Sequence, residues 1–243
     1  MTSDIAGPRS KMTVQTPAEV LAVGIGSAGS RIVSLLSKES LLVDRFVYIS
    51  CDRNDLETSR SGESIQIESP VDQRLNPAIV RGLALKFYPE IRSALEGAKV
   101  VFVVAGLGGA TGSGLAPVVA SIAQECGAVT VGVAVMPFDY EKKLRFYAGV
   151  SLRRLRAAAR GVIVIDNDSL LKSSPNDLTL TDVYESANRE AAMTLSSLLA
   201  KSSGSSVPVG LNKVLGTVLQ DGDVPDRKKQ SRFTLRLDRL LDG

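Results

Sequence analysis

Residues 99–114 read KVVFVVAGLGGATGSG, and this stretch decides the fold. Lys99–Ala105 is a short apolar, β-branched run closed by glycine, which predicts a buried strand. The next nine residues, Gly106-Leu107-Gly108-Gly109-Ala110-Thr111-Gly112-Ser113-Gly114, include five glycines. Such density costs backbone entropy with no packing return. Close approach of main-chain N–H groups to an anion accounts for it, with Thr111 and Ser113 as hydroxyl donors. Gly112 to Glu125 then reads as a helix.

Upstream the same grammar recurs. Val20–Ile25 (VLAVGI) is a strand, and Gly24-Ile25-Gly26-Ser27-Ala28-Gly29 leads from it into a helix over Ser27–Lys38. A glycine-rich strand-to-helix turn lets backbone amides meet a phosphate at the positive end of a helix. A tight turn without a ligand is the plainer alternative. Further strands are expected at Phe46–Ser50, Ile65–Ile67, Ala128–Val135 and Val162–Ile165. Helices are expected at Pro77–Gly97, Tyr140–Arg160 and Leu178–Lys201, the last capped near Thr179 or Thr181. Strands alternating with helices predict an α/β fold with a parallel sheet buried on both faces. A ligand then sits beyond the carboxyl ends of the strands.

Composition narrows the chemistry. With 44% hydrophobic and 23% charged residues among 243, the chain carries enough apolar material for a folded core. It has no His, and its only cysteines, Cys51 and Cys126, read as reduced thiols. The usual zinc sites and the Cys-His nucleophile are therefore excluded. A net charge of +3 gives no reason to expect nucleic acid as a partner. No apolar run reaches the ~18 residues of a membrane span. The polar start of the chain reads as a flexible tail over residues 1–16 without a secretory signal, so a cytoplasmic location is expected.

Two phosphate loops on neighbouring strands exceed what a dinucleotide fold needs, and here the chain resembles the tubulin/FtsZ family. Gly108–Gly114, GGATGSG, is similar to that family's G-G-G-T-G-S/T-G loop. Asn76-Pro77 and the helix running into ALEGAKVVFVVAG resemble its third loop, third helix and fourth strand. Pro137-Phe138-Asp139-Tyr140-Glu141 with Arg145 resembles its P-F-x-F-E…R segment. Ile165-Asp166-Asn167-Asp168-Ser169-Leu170-Leu171 resembles I-P-N-D-x-L-L, and Asp182–Asn188 the start of its central helix. The resemblance covers roughly residues 18–201.

That resemblance implies a Rossmann-like nucleotide-binding domain over residues 17–201, with a long central helix. It implies GTP or GDP as ligand, with Mg²⁺ as a companion, and head-to-tail association with itself or with a fuller FtsZ-like relative. Carried over by position, Gly24, Gly26, Ser27, Gly29, Gly106, Gly108, Gly109, Ala110, Thr111, Gly112, Ser113 and Gly114 hold phosphates. Asp52 lies near the phosphates or Mg²⁺, Pro137 lies beside the nucleotide, Glu141 and Arg145 contact the ribose, and Tyr184 stacks on the base. Ser30 and Asn188 complete the base site. For Glu141 and Arg145 a helical i,i+4 surface pair is the alternative.

Several positions depart from the family. Ser30 replaces an Asn, and Arg189 replaces an Asp that accepts from guanine; an arginine has only donors. Asp72-Gln73-Arg74-Leu75 replaces a glycine-rich loop, with Arg74 a candidate for a charge-assisted phosphate contact. Pro208, Gly210 and Lys213 stand where the family's N-x-D-x-x-D acids position water, so weak or absent hydrolysis is expected. Residues 202–243 are read as a short segment in place of a full second domain. An active GTPase drawing on Asp221, Asp223 or a partner remains open, as does a nucleotide-free regulator. A nicotinamide-dependent oxidoreductase resting on Gly24–Gly29 and Asp52 is a further alternative.

Overall fold

The computed structural model describes residues 20–39, 42–57, 61–69, 74–168 and 179–202. Its strands are β1 (Val20–Ile25), β2 (Arg45–Ser50), β3 (Glu63–Gln66), β4 (Val100–Gly106), β5 (Val129–Met136) and β6 (Gly161–Asp166). Its helices are α1 (Gly26–Glu39), α2 (Arg53–Glu57), α3 (Pro77–Ala84), α4 (Tyr88–Leu95), α5 (Ala110–Glu125), α6 (Lys142–Ala158) and α7 (Leu180–Ser202). The strands form one parallel sheet in the order β3-β2-β1-β4-β5-β6. This is the expected α/β architecture. The chain winds outward from β1 to β3, then returns to the middle and winds the other way. The switch falls between β1 and β4, where an open α/β sheet leaves a crevice for ligand.

Period-two alternation sends each strand's side chains to two separate cores. Leu21, Val23 and Ile25 join Val101 and Val103 under α3, α4, α5 and α6. Val20, Ala22, Val100, Phe102 and Val104 pack on the other face against Ile32, Val33 and Leu36 of α1 and Ala187, Ala191 and Leu195 of α7. Both faces being covered, the strands read as unbroken apolar runs.

Two helix expectations need correction. The single helix expected over 77–97 is two, with Lys86 and Phe87 N–H groups bonding back three residues to Leu83 and Ala84. Pro89 is the reason. In one continuous helix its missing N–H and its ring would conflict with the carbonyl of Leu85, four residues back; at the second position of α4 it needs no N–H. Short α2 was not anticipated either. Asp52 Oδ1 accepts from the Asn54 backbone N–H at 2.9 Å and side-chain amide at 3.0 Å at its start. The expected cap of the central helix is present: Thr179 Oγ1 accepts from Asp182 N–H at 3.2 Å, and Thr179 N–H donates to Asp182 Oδ2 at 3.0 Å. The Thr179 hydroxyl also donates to Asp182 Oδ2, and that bond first, then the one from the Thr179 N–H, holds the Asp182 carboxyl below its usual range.

The expectations for residues 1–16, 72–73, 169–171 and 203–243, including Pro208, Gly210 and Lys213, lie outside the described residues.

Candidate functional site

The two glycine-rich segments meet at the β1/β4 switch. Helix α1 begins at Gly26, directly after β1, with φ +64°. A Cβ on Gly26 would stand 3.3 Å from the Thr111 Cβ, so the start of α1 touches the start of α5. The Thr111 side chain in turn lies beside Cys51, just after β2. Burial pushes the Cys51 thiol up, with the Thr111 contact opposing. Loops after β1, β2 and β4 thus converge on one edge.

The second segment is mostly helix, which corrects the expectation of a nine-residue loop: α5 starts at Ala110, not Gly112. The idea that its glycines lack a packing role is also wrong. A Cβ on Gly112 would lie 2.1 Å from the Gly106 carbonyl oxygen, and one on Gly114 would lie 2.7 Å from Val80 Cβ. In the first segment, a Cβ on Gly29 would lie 2.2 Å from the Val104 oxygen, and one on Gly24 2.7 Å from the Gly29 oxygen. Gly106 faces Ala28 in the same way. Gly24, Gly29, Gly106 and Gly112 let α1 and α5 lie directly on the sheet, and Gly114 lets α5 lie against α3.

Two glycines differ. Gly108 has φ +114°, and its N–H donates to the buried Ser113 Oγ at 2.7 Å. Ser113 therefore clasps the loop from inside instead of presenting its hydroxyl to a ligand. Gly109 is exposed, a Cβ added there would meet nothing within 4 Å, and α5 starts after it without a side-chain cap. The first helical bond runs from Ser113 N–H to the Gly109 carbonyl, so the amides of the first turn are free to face an anion.

Pro117 lies inside α5 and cannot donate to the carbonyl of Ser113, four residues back. The buried Ser151 of α6 donates its hydroxyl to that carbonyl at 3.0 Å. One serine thus completes the helix that proline interrupts and ties α6 to the glycine-rich turn.

A second cluster follows β5 and β6. Glu141 does not pair with Arg145; the i,i+4 alternative fails. Glu141 Oε1 accepts from Tyr184 OH at 2.9 Å, and Oε2 accepts from Phe138 N–H at 2.9 Å. Arg145 instead bonds Asp168 Oδ2 at 3.0 Å and the Pro137 carbonyl at 3.3 Å, and pairs with Asp139. Burial raises the Asp168 carboxyl, against the opposing effects of the Asp139 amide and Arg145. Phe138 stacks on Tyr140 with centroids 5.4 Å apart and meets the Tyr184 ring edge-on at 5.2 Å. Burial first, and then Glu141, raise Tyr184 far above its ordinary value, so it remains a proton donor. Sequence spacing gave Asp168 no role, because it lies 23 residues from Arg145.

Between α1 and α7 lies an open cleft of about 360 Å³, lined by Arg31, Ser34, Leu35, Lys38, Glu185, Asn188 and Arg189. Arg189 pairs with Glu185 at 3.8 Å. Ser30 does not line this cleft. It is fully buried, and its hydroxyl has no hydrogen-bond partner among the described residues. From α1 it is Arg31, Ser34, Leu35 and Lys38 that line the cleft, and the sequence reading missed them. Among the described residues, no group of three or more His, Cys, Asp or Glu could hold a metal ion.

Residues 19–175 match the family model described as "Tubulin/FtsZ family, GTPase domain". The chain belongs to the tubulin/FtsZ family. It is 37% identical over 179 residues to "Cell division protein FtsZ 1" of Thermococcus kodakarensis, covering 72% of this chain and 48% of that protein. It is 36% identical over 174 residues to "Cell division protein FtsZ" of Buchnera aphidicola, covering 70% and 45%. The chain thus spans about half the length of these curated relatives. Among solved structures, "FtsZ dimer, empty (M. jannaschii)" superposes with a TM-score of 0.70 at 32% identity, covering 77% of this chain and 56% of that one. "CetZ from Methanosaeta thermophila" superposes at 0.71 and 22% identity, covering 84% and 60%, and shares the fold. The fold and family expectations therefore stand.

Proposed function

We propose that this chain binds a guanine nucleotide, GTP or GDP, across the β1/β4 switch and hydrolyses it slowly or not at all. The observation that carries this reading is the uncapped start of α5 at the open Gly109, set against the start of α1 at Gly26 and Thr111. Two helix N-termini meeting at one crevice offer main-chain donors for a polyphosphate. In this reading Gly26, Ser27, Gly109, Ala110, Thr111 and Gly112 supply those donors. Glu141 and Arg145, already held by Tyr184 and Asp168, present the ribose site, while Tyr184 and Asn188 border the base. Mg²⁺ would enter on the phosphates, with Asp52 nearby, since the described residues form no cage of their own.

Low turnover follows from Pro208, Gly210 and Lys213 at the positions of the family's water-orienting acids. The dimer of the M. jannaschii relative supports self-association; in this reading the chain associates head to tail with itself or with a fuller relative, as the family resemblance implies, in a cytoplasmic cytoskeletal or division role.

Mass analysis of nucleotide released from freshly purified protein tests the reading. Recovery of GDP or GTP, with thermal protection by those nucleotides and not by NAD, supports it. An empty protein that saturating GTP leaves unprotected refutes it. A turnover rate matching an ordinary FtsZ would refute the hydrolysis claim alone.

A further inference from the structure

Helix α6 carries more charge than the fold requires. Its 17 residues, KKLRFYAGVSLRRLRAA, contain six cations and no acid. That is twice the net charge of the whole chain, +3, so the remainder is net negative and the basic character is local. Only Arg145 of the six joins the cluster around Asp168. Among the described residues Lys142, Lys143, Arg153 and Arg154 form no ion pair, and all four are exposed.

Their placement is not explained by helix stability. Lys142 and Lys143 occupy the first turn, which has no acid; cations there oppose the helix dipole. Phe146 is 70% exposed on the same helix, and Tyr140 is 59% exposed just before it. At ~100° per residue, Lys142, Phe146 and Arg153 fall within roughly 40° of one another, with Lys143 and Arg154 together along one side of them. The opposite side, Ala148, Ser151, Leu155 and Ala158, is buried.

We propose that this outer face of α6 docks on an anionic lipid bilayer. The face is the convex side of one helix, with an aromatic ring amid cations. That pattern suits a broad, deformable surface with negative headgroups outside and apolar chains beneath. Lysine and arginine stems lie along such a surface while their charges stay at headgroup level. Attachment is peripheral, since no described helix is long and apolar enough to cross a membrane. The proposal does not depend on nucleotide binding.

The test is co-sedimentation of the full chain with phosphatidylcholine vesicles, with and without phosphatidylglycerol, at roughly 0.1 M salt. The chain should pellet only with the anionic vesicles. Lys143→Gln with Arg153→Gln should weaken partitioning roughly 25-fold, taking roughly fivefold per cation. Phe146→Ser should weaken it several-fold, and both variants should keep the parental unfolding midpoint. Failure to pellet with anionic vesicles, equal pelleting with neutral ones, or indifference to the paired substitution overturns the proposal. So does binding to soluble polyglutamate as tight as to vesicles with no effect of Phe146→Ser, which would assign the face to an acidic protein.

Discussion

The edge at β1 and β4 and the cluster after β5 and β6 are built by opposite means. The first uses main chain, because glycines bring carbonyls and amides within contact distance of one another. The second uses side chains drawn from three separate segments: Glu141 and Arg145 at α6, Asp168 after β6, and Tyr184 on α7. A main-chain site tolerates almost no added atoms but is indifferent to charge. A side-chain site tolerates volume but depends on each polar partner. The difference teaches where substitutions will hurt folding and where they will hurt ligand.

The sharpest way to break the comparison is Gly112→Ala. Its Cβ would lie 2.1 Å from the Gly106 carbonyl oxygen, so urea unfolding should show a loss of more than about 3 kcal/mol, or no folded protein. A mild effect would mean that the glycine-rich turn is not packed as described. Next is Ser151→Ala, which leaves the buried Ser113 carbonyl without a donor beside Pro117. A loss of about 1–3 kcal/mol is expected from the same measurement. Tyr184→Phe removes the hydroxyl from Glu141 but keeps the ring on Phe138. It should cost about 0.5–1.5 kcal/mol in stability.

The smallest stability effect belongs to Gly109→Ala, where φ is −70° and the space is open. Its unfolding midpoint should stay within a few degrees of the parent, whereas its nucleotide affinity, read by calorimetry, should fall. Gly109→Ala and Gly112→Ala sit three residues apart in one motif and separate an open glycine from a packing one. Equal effects of the two on folding would erase the distinction.

The sequence carried the parallel sheet, because buried strands must be apolar on both sides and glycines and proline mark their ends. It carried the two glycine-rich strand-to-helix turns, the second marked by five glycines in nine residues, but not that Gly106, Gly112 and Gly114 among them serve packing. The break between α3 and α4 was missed, although Pro89 is a purely local signal for it. The clasp of Ser113 on Gly108 and the rescue of its carbonyl by Ser151 were not legible. They depend on partners whose positions no local period reveals.

Residue order by itself therefore determined the strand-and-helix rhythm, the family and the positions of the two glycine-rich turns. These follow from local conformational limits and short-range apolar patterning. Tertiary structure alone decided which glycines pack and which stay open. It also decided that Glu141 turns to Tyr184 while Arg145 turns to Asp168, and that Ser30 is buried while Arg31 reaches the α1–α7 cleft. Those outcomes are set by which distant surfaces meet, and a chain's own spacing does not encode the partner a side chain finds across a fold.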